Sequence, residues 1–350
     1  MLGAIIGAGF LSGAEPIDFF GTENILPSVI FGTAVMAVAL TGCFYCFKKL
    51  QNKGCGVEKL FGSTRAYSVA VVTAGFVFTA SMLAGLDALW NSFNFLNGVP
   101  VLSTITVILI CTFSAYGVKG LEKFNLVLMP MIIIGVNLLI FGRFELNVGK
   151  IKMLLPKNVL YILLYVFLNL FISVPVMKEC AKNKGGKTLV FASITVALLI
   201  GLQLAIILCA LNGGVFTNVE MPLFVAITAS GFSTTYYLGL LFGSVTSAFS
   251  AYFPVYEFAR KKGGRYGIAI SGIAVMIISR LGLNKIVKYL YPLIAIFGLI
   301  YFISLLCSIK NKHYADNKNI QKVRRRKICQ ERKRTKTKLL NLQTKNTMRI

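Results

Sequence analysis

The sequence predicts an all-α polytopic membrane protein. It places about ten transmembrane helices in two five-helix halves, related as an inverted repeat, with the first and sixth helices broken. Three observations predict this. Apolar runs of about 20 residues, the length that spans ~30 Å of hydrocarbon, recur down the chain. The 350 residues are 56% hydrophobic, with a mean hydropathy of +0.73. The basic residues alternate between successive connections, and a glycine- or proline-interrupted run opens each half.

The first run, M-L-G-A-I-I-G-A-G-F-L-S-G-A-E-P-I-D-F-F, is apolar enough for a bilayer but holds Gly3, Gly7, Gly9 and Gly13, then Glu15-Pro16. Glycine inside a helix costs about 1 kcal/mol relative to alanine and proline roughly 3, so two half-helices joined by unwound backbone are expected, with the break near Gly7 to Leu11. Ser12 and Glu15 have capping-box spacing for a restart, and Pro16 falls in the first turn, where its missing N–H does no harm. Lipid cannot satisfy bare N–H and C=O groups, so unwound backbone at membrane depth implies a cavity. Half-helix ends there suit a carboxylate or a cation. A small-residue face packed on a neighbouring helix is the alternative.

Asn24 to Leu50 reads as span 2, Tyr67 to Phe95 as span 3, a run from Pro100 to Tyr116 as span 4 and Phe124 to Gly142 as span 5. Residues 1–142 are thus the first repeat and the polar stretch 143–157 is the connection. Residues 158–309 are the second repeat, and a basic tail follows over 310–350. Span 6, Asn158 to Lys178, is expected to weaken around Asn169 to Val174, because Pro175 cannot donate to the helical ladder. Span 7 covers Thr188 to Leu211, and Asn218 to Gly231 reads as a re-entrant or surface helix. Phe232 to Phe258, Tyr266 to Leu283 and Ile286 to Ile309 are spans 8 to 10.

With both termini inside, the internal connections hold fifteen Lys and Arg and the external ones seven, before the tail is counted. Positive-inside bias requires this sense, so a plasma-membrane protein with cytoplasmic termini is expected. Met1 opens directly on apolar sequence, without the basic segment of a signal peptide. The tail, with Arg324-Arg325-Arg326-Lys327 and Arg332-Lys333-Arg334, suits anionic lipid at on the order of 1 kcal/mol per basic residue. Nucleic acid is not an expected partner.

Other chemistries find little support. His313 is the single histidine and lies in the tail, so metal or triad chemistry based on histidine is excluded. The eight cysteines are scattered, and the one ligand-like spacing, Cys43-x-x-Cys46, has no second pair beside it. No phosphate-binding loop occurs, so ATP drive within this chain is not expected, and no enzyme activity is read.

The run Gly7-Ala8-Gly9-Phe10-Leu11-Ser12-Gly13-Ala14-Glu15, followed by the aromatic pair Phe19-Phe20, resembles the opening of the YkvI-like membrane proteins. These are a branch of the amino acid–polyamine–organocation superfamily with the LeuT-type five-plus-five fold, and the likeness covers residues 1 to 309. The resemblance implies a solute site between the breaks of helices 1 and 6. Gly7, Ala8, Gly9 and Phe10, with Ser12 and Gly13 just beyond them, would meet Asn169 and Ser173 there, and Ser81 and Gly85 of span 3 share a face that would line it. It also implies a sodium site between helix 1 carbonyls, here those of Gly3 and Ile6, and the hydroxyls of Thr246 and Ser247 on the small, polar face of span 8. Ser and Thr bonded to their own helix carbonyls are the structural alternative.

Glu15 has two readings, a helix cap or a carboxyl that carries a coupling proton in place of sodium. Asp87 reads as solvated at the external end of span 3, and Glu179 and Glu257 as paired with neighbouring bases. The implied activity is secondary active transport of a small organic solute, an amino acid or related amine or carboxylate, driven by sodium or protons. The alternative is a receptor subunit on the same fold, resembling the spore-germinant receptors, that binds a solute without moving it.

Overall fold

The computed structural model describes residues 5–52, 64–92, 99–114, 130, 134, 137, 156–212, 219–228 and 233–307. The chain divides into two compact units, Met1–Phe302 and Ile303–Ile350. All the side-chain contacts below lie in the first. Apart from residues 130, 134 and 137, span 5 lies outside the described residues, as do the 143–155 part of the connection, Gly3 and the basic tail from residue 310.

Among the described residues all regular structure is helical. The elements are α1 (Ala8–Ser12), α2 (Ala14–Phe20), α3 (Ile25–Asn52), α4 (Thr64–Asn91), α5 (Val101–Phe113), α6 (Pro156–Asn183), α7 (Gly186–Ala210), α8 (Pro222–Thr228), α9 (Ser233–Ser279) and α10 (Leu283–Cys307). Six of them, α3, α4, α6, α7, α9 and α10, are long and apolar enough to cross a membrane. The chain is therefore a multi-pass membrane protein by length and composition.

Helix α9 has 47 residues. A straight helix of that length would measure about 70 Å, more than twice the hydrocarbon thickness. It does not run straight, because Gly264 turns the chain at φ 57°, ψ −135°, a conformation open to glycine. The arms over 233–263 and 265–279 then fold back on each other. Tyr252 Oη donates to the Ile268 carbonyl (3.2 Å) and pairs with Ser271 Oγ (2.7 Å). These arms are the expected spans 8 and 9. The expected surface helix at Asn218 to Gly231 is the seven-residue α8.

The long helices pack in two groups. Helix α3 lies on α6 and α7, while α4 lies along α9 and both touch α5. Where α4 meets α9, Gly75 permits close approach: a Cβ there would stand 2.7 Å from the Ala251 carbonyl oxygen. The opening helices bridge the groups, with α1 against α4 and α9 and α2 against α6, α7 and the start of α10. At the other end of the bundle, Lys48 Nζ donates to the carbonyls of Ala181 (3.0 Å) and Lys184 (2.9 Å). It caps the end of α6 from α3, where the last carbonyls have no intrahelical donor.

Helix α6 corrects one expectation. It is continuous over 28 residues, with Pro175 inside it and no unwound segment. Span 6 contains no glycine, so nothing in it supplies the left-handed backbone that ends α1. The proline removes one ladder bond without unwinding the turn around it.

Candidate functional site

The site grows from the interruption of the first helix. Regular helical geometry lapses at Ile6 and Gly7, and Gly7 is extended at φ −118°, ψ −170° before α1 begins. The bare backbone finds partners on two other helices. Ala8 N–H donates to Met82 Sδ of α4 (2.9 Å), and Ser247 Oγ of α9 donates to the Ile6 carbonyl (2.6 Å). Residues Gly7, Ala8, Gly9 and Phe10 are all buried, beneath Met82, Gly85 and Glu15. A Cβ at Gly7 would come within 2.6 Å of Met82 Sδ, and the methyl of Ala8 fills the notch at Gly85.

A second turn follows at Gly13, where φ is 84°, and it both ends α1 and starts α2. The expected capping box does not form. Ser12 Oγ accepts from Ala14 N–H (3.3 Å) and donates to the Gly9 carbonyl (3.0 Å), and no side chain caps α2. The left-handed Gly13 supplies the cap itself, with the Ile17 N–H bonded to its carbonyl (3.1 Å). Glu15 is thereby released from helix-end duty. Its side chain folds back over Gly9, 2% exposed, and faces the hydroxyl of Tyr291 on α10.

Tyr291 is fully buried and also bonds Ser81 Oγ of α4, with its ring 4.6 Å from that of Phe78. Its place depends on a π-turn, Ile286–Leu290, that opens α10 and closes with Tyr291 N–H on the Ile286 carbonyl. Pro292 follows and has no N–H to offer a regular ladder. Tyr165 of α6 covers Glu15 from the other side, its ring 5.6 Å from Phe19 and 5.1 Å from Phe20. Asn169 Nδ2 donates to the Tyr165 carbonyl (2.9 Å) and lies near its hydroxyl without closing a hydrogen bond of normal geometry. Ser173 Oγ, also fully buried, has no hydrogen-bond partner.

Above this cluster opens a cleft of about 760 Å³. Its floor is Ala14, Ile17, Phe19 and Phe20, and its rim carries Asp18 and Glu23 against Lys157 and Lys288. Lys288 faces Asp18 across it. Each lysine rests over a tyrosine ring, Lys157 on Tyr161 at 5.9 Å and Lys288 on Tyr289 at 5.7 Å. The cleft lies within the size range of ligand pockets and is lined by charges of both signs with aromatic faces. It stops one layer above Glu15, so the solute residues expected from helix 1 are enclosed.

Several expected residues are therefore brought together: Gly7 to Phe10, Gly13, Glu15, Ser81 and Gly85 form one buried assembly. Ser81 is engaged twice, since its hydroxyl also donates to the Phe78 carbonyl (2.9 Å). The expected ion site is met only in the pairing of Ile6 with Ser247. A direct hydrogen bond joins them, and Thr246 Oγ1 donates to the Gly243 carbonyl (2.9 Å) of its own helix. Ser247 is thus bonded to Ile6, and Thr246 to its own helix. Asp87 is not simply solvated: it is largely buried and pairs with Arg280 at 3.8 Å. Glu257 pairs with Lys261 at 3.9 Å, as expected.

Tyr291, Tyr165 and Met82 are not among the residues singled out from the sequence. The readable signal was a tyrosine beside Pro292, since a buried tyrosine needs a partner for its hydroxyl.

No protein-family profile matches the chain. It is similar to the uncharacterized protein YyaD of Bacillus subtilis (strain 168), with 25% identity over 333 residues that cover 88% of this chain and 93% of that protein.

Proposed function

We propose that this chain is a secondary active transporter of a small organic solute, an amino acid or related compound, built on the LeuT-type five-plus-five plan and coupled to protons through Glu15. One observation carries the reading: the first helix comes apart twice, at Gly7 and Gly13, and the slack places an otherwise needless carboxyl in the core directly beneath a charged cleft. A helix that only packs has no use for either break. A carboxyl inside a membrane bundle is expensive unless it is used.

The distribution of Lys and Arg supports an external cleft and a cytoplasmic Lys48 end, in a plasma-membrane protein with both termini inside. Lys157 and Lys288 suit a carboxylate and Asp18 suits an ammonium, so a zwitterion satisfies both walls. Helices α2, α3, α6 and α7 then rock against α4, α5 and α9, with α1 as the strap between the groups. The tail holds anionic lipid at the inner surface.

The test is flux. Full-length protein in proteoliposomes, given an inward proton gradient, should accumulate a labelled solute from an amino-acid panel, and Glu15→Gln should abolish accumulation. Saturable binding with no flux in any gradient would replace the transporter with the receptor reading. Flux that follows sodium and ignores pH would remove Glu15 from the coupling role.

A further inference from the structure

The turn at Gly264 leaves a compact cationic tip on α9. Tyr252 ties the two arms together through the Ile268 carbonyl and Ser271, and Gly267 lies so close to the Ala259 carbonyl that a side chain there would overlap it. Beyond that crossing project Arg260-Lys261-Lys262-Gly263-Gly264-Arg265-Tyr266, seven residues with four cations, all exposed. The sequence has no acidic residue from 258 to 315. Glu257, one turn below the tip, pairs with Lys261 at 3.9 Å, and Arg260, Lys262 and Arg265 face outward around the turn.

The second arm shows which way lipid lies. Tyr266, Ile270, Ile273 and Ile277 are each more than half exposed, Tyr266 at 84%, and at 100° per residue they fall within about 60° of one another. Ser271, Val275 and Ser279 on the opposite side of the arm are buried. The rise from Tyr266 to Ile277 is about 16 Å, close to one leaflet's half of the ~30 Å hydrocarbon core. The stripe therefore has the length of an acyl layer, and it ends in a tyrosine and then in Arg265.

We infer that the tip of α9 and the stripe beneath it form one binding site for an anionic phospholipid. An acyl chain lies along Ile270, Ile273 and Ile277, Tyr266 sits at the level of the glycerol, and Arg260, Lys262 and Arg265 hold the phosphate. A tyrosine at the end of an apolar stripe suits the interface, because its ring is apolar and its hydroxyl needs a polar partner. A guanidinium meets phosphate with two parallel N–H donors, and lysine adds a point charge. The space around Gly263 and Gly264 is open, so a headgroup can reach the turn. An acidic protein or a nucleic acid would use the charges and leave the stripe idle, whereas a phospholipid uses both. The site lies at the opposite end of its arm from the Arg280–Asp87 pair and is separate from the tail that begins at residue 310.

The test uses the purified full-length chain in phosphatidylcholine vesicles doped with a phosphatidylglycerol that carries a photoactivatable group in its acyl chain, with crosslinked peptides mapped by mass spectrometry. Crosslinks should fall on the 266–277 face, and unlabelled phosphatidylglycerol should displace them where added phosphatidylcholine does not. A basic residue near the surface is worth on the order of fivefold in affinity at low salt. Arg260→Gln, Lys262→Gln and Arg265→Gln together should therefore lower the preference of this face for phosphatidylglycerol by more than tenfold, while crosslinks on the tail stay as the internal reference. Arg260→Lys with Arg265→Lys keeps the charge and should keep most of the preference, which separates lost charge from a damaged hairpin. Equal displacement by the two lipids, an undiminished preference in the triple Gln variant, or crosslinks confined to the tail overturns the inference. Displacement by inorganic phosphate would reduce the tip to a general anion site and overturns it as well. The readout needs neither solute nor gradient, so it is independent of the transport reading.

Discussion

Substituting Gly9 by alanine isolates the reason a glycine stands there. A Cβ at Gly9 would lie 2.8 Å from both Cγ and Cδ of Glu15, where ordinary carbon contacts are about 3.5–4.0 Å. The side chain must retreat by about 1 Å. Overpacking of this kind costs about 1–3 kcal/mol, while alanine returns up to about 1 kcal/mol of helix propensity. Gly9→Ala should therefore cost about 1 kcal/mol net. In a Glu15→Ala background the obstacle is gone, and the same substitution should stabilise by a few tenths to about 1 kcal/mol. The coupling between the two sites is then about 2 kcal/mol, well above the additivity error for independent positions. Thermal unfolding of the four proteins in one detergent reads it, at roughly 2 °C per kcal/mol for a chain of this size. An equal cost of Gly9→Ala in both backgrounds would refute the placement of Glu15 over Gly9.

Other substitutions test the frame around the site. Gly13→Ala forces an L-residue to φ 84° and presses a methyl to within 2.7 Å of Leu211 Cδ1, so it should cost at least about 2 kcal/mol, visible as lower yield of folded protein on size exclusion. Ser247→Ala leaves the Ile6 carbonyl buried without its donor and should cost about 1–3 kcal/mol in thermal unfolding, while uptake in sodium and in choline buffers stays equal. Lys48→Met uncaps the end of α6, and limited proteolysis should cut the turn at Lys184 and Gly185 several-fold faster. Asp87→Asn weakens the junction of α4, α5 and Arg280 and should lower stability by about 1 kcal/mol, the partner being half exposed.

How much of this was legible in the sequence depends on which residues are asked. Gly7 marked an interruption, because backbone conformation is a local property and glycine marks it, but the break expected near Gly7 to Leu11 is narrower than that: Ala8–Ser12 is helical, and the chain turns again at Gly13. The apolar spans were readable from length and composition. Ser12 and Glu15 misled, because capping-box spacing is only a possibility until the backbone between them is known. The left-handed turn at Gly13 satisfied the helix start and left the carboxylate free. Pro175 misled in the other direction, since a missing N–H weakens one bond of a helix that packing against α3 otherwise holds straight. The tyrosine beside Pro292 was a readable signal, but what Tyr291 faces was not. Glu15 lies more than 270 residues away in the chain, and no period or spacing joins them.

The continuity of α6 changes where movement can come from. Two unwound helices would place bare backbone on both sides of the centre, but among the described residues the first helix supplies it and α6 does not. The α6 side has instead a proline inside an intact rod, and its neighbour across the interface, α9, has another at Pro254. Pro175 and Pro254 line one small hollow with Gly75, Phe78, Phe171 and Ala251, about 20 Å³ in volume, room for about one water. A helix can bend at a proline only where its outer face has space to close, and a close-packed interior gives little. The hollow is such a space, lined by Phe78 as well as by the two prolines. An unwound segment at Gly7 and a proline-bearing rod beside a hollow are thus the two places where this fold has room to give.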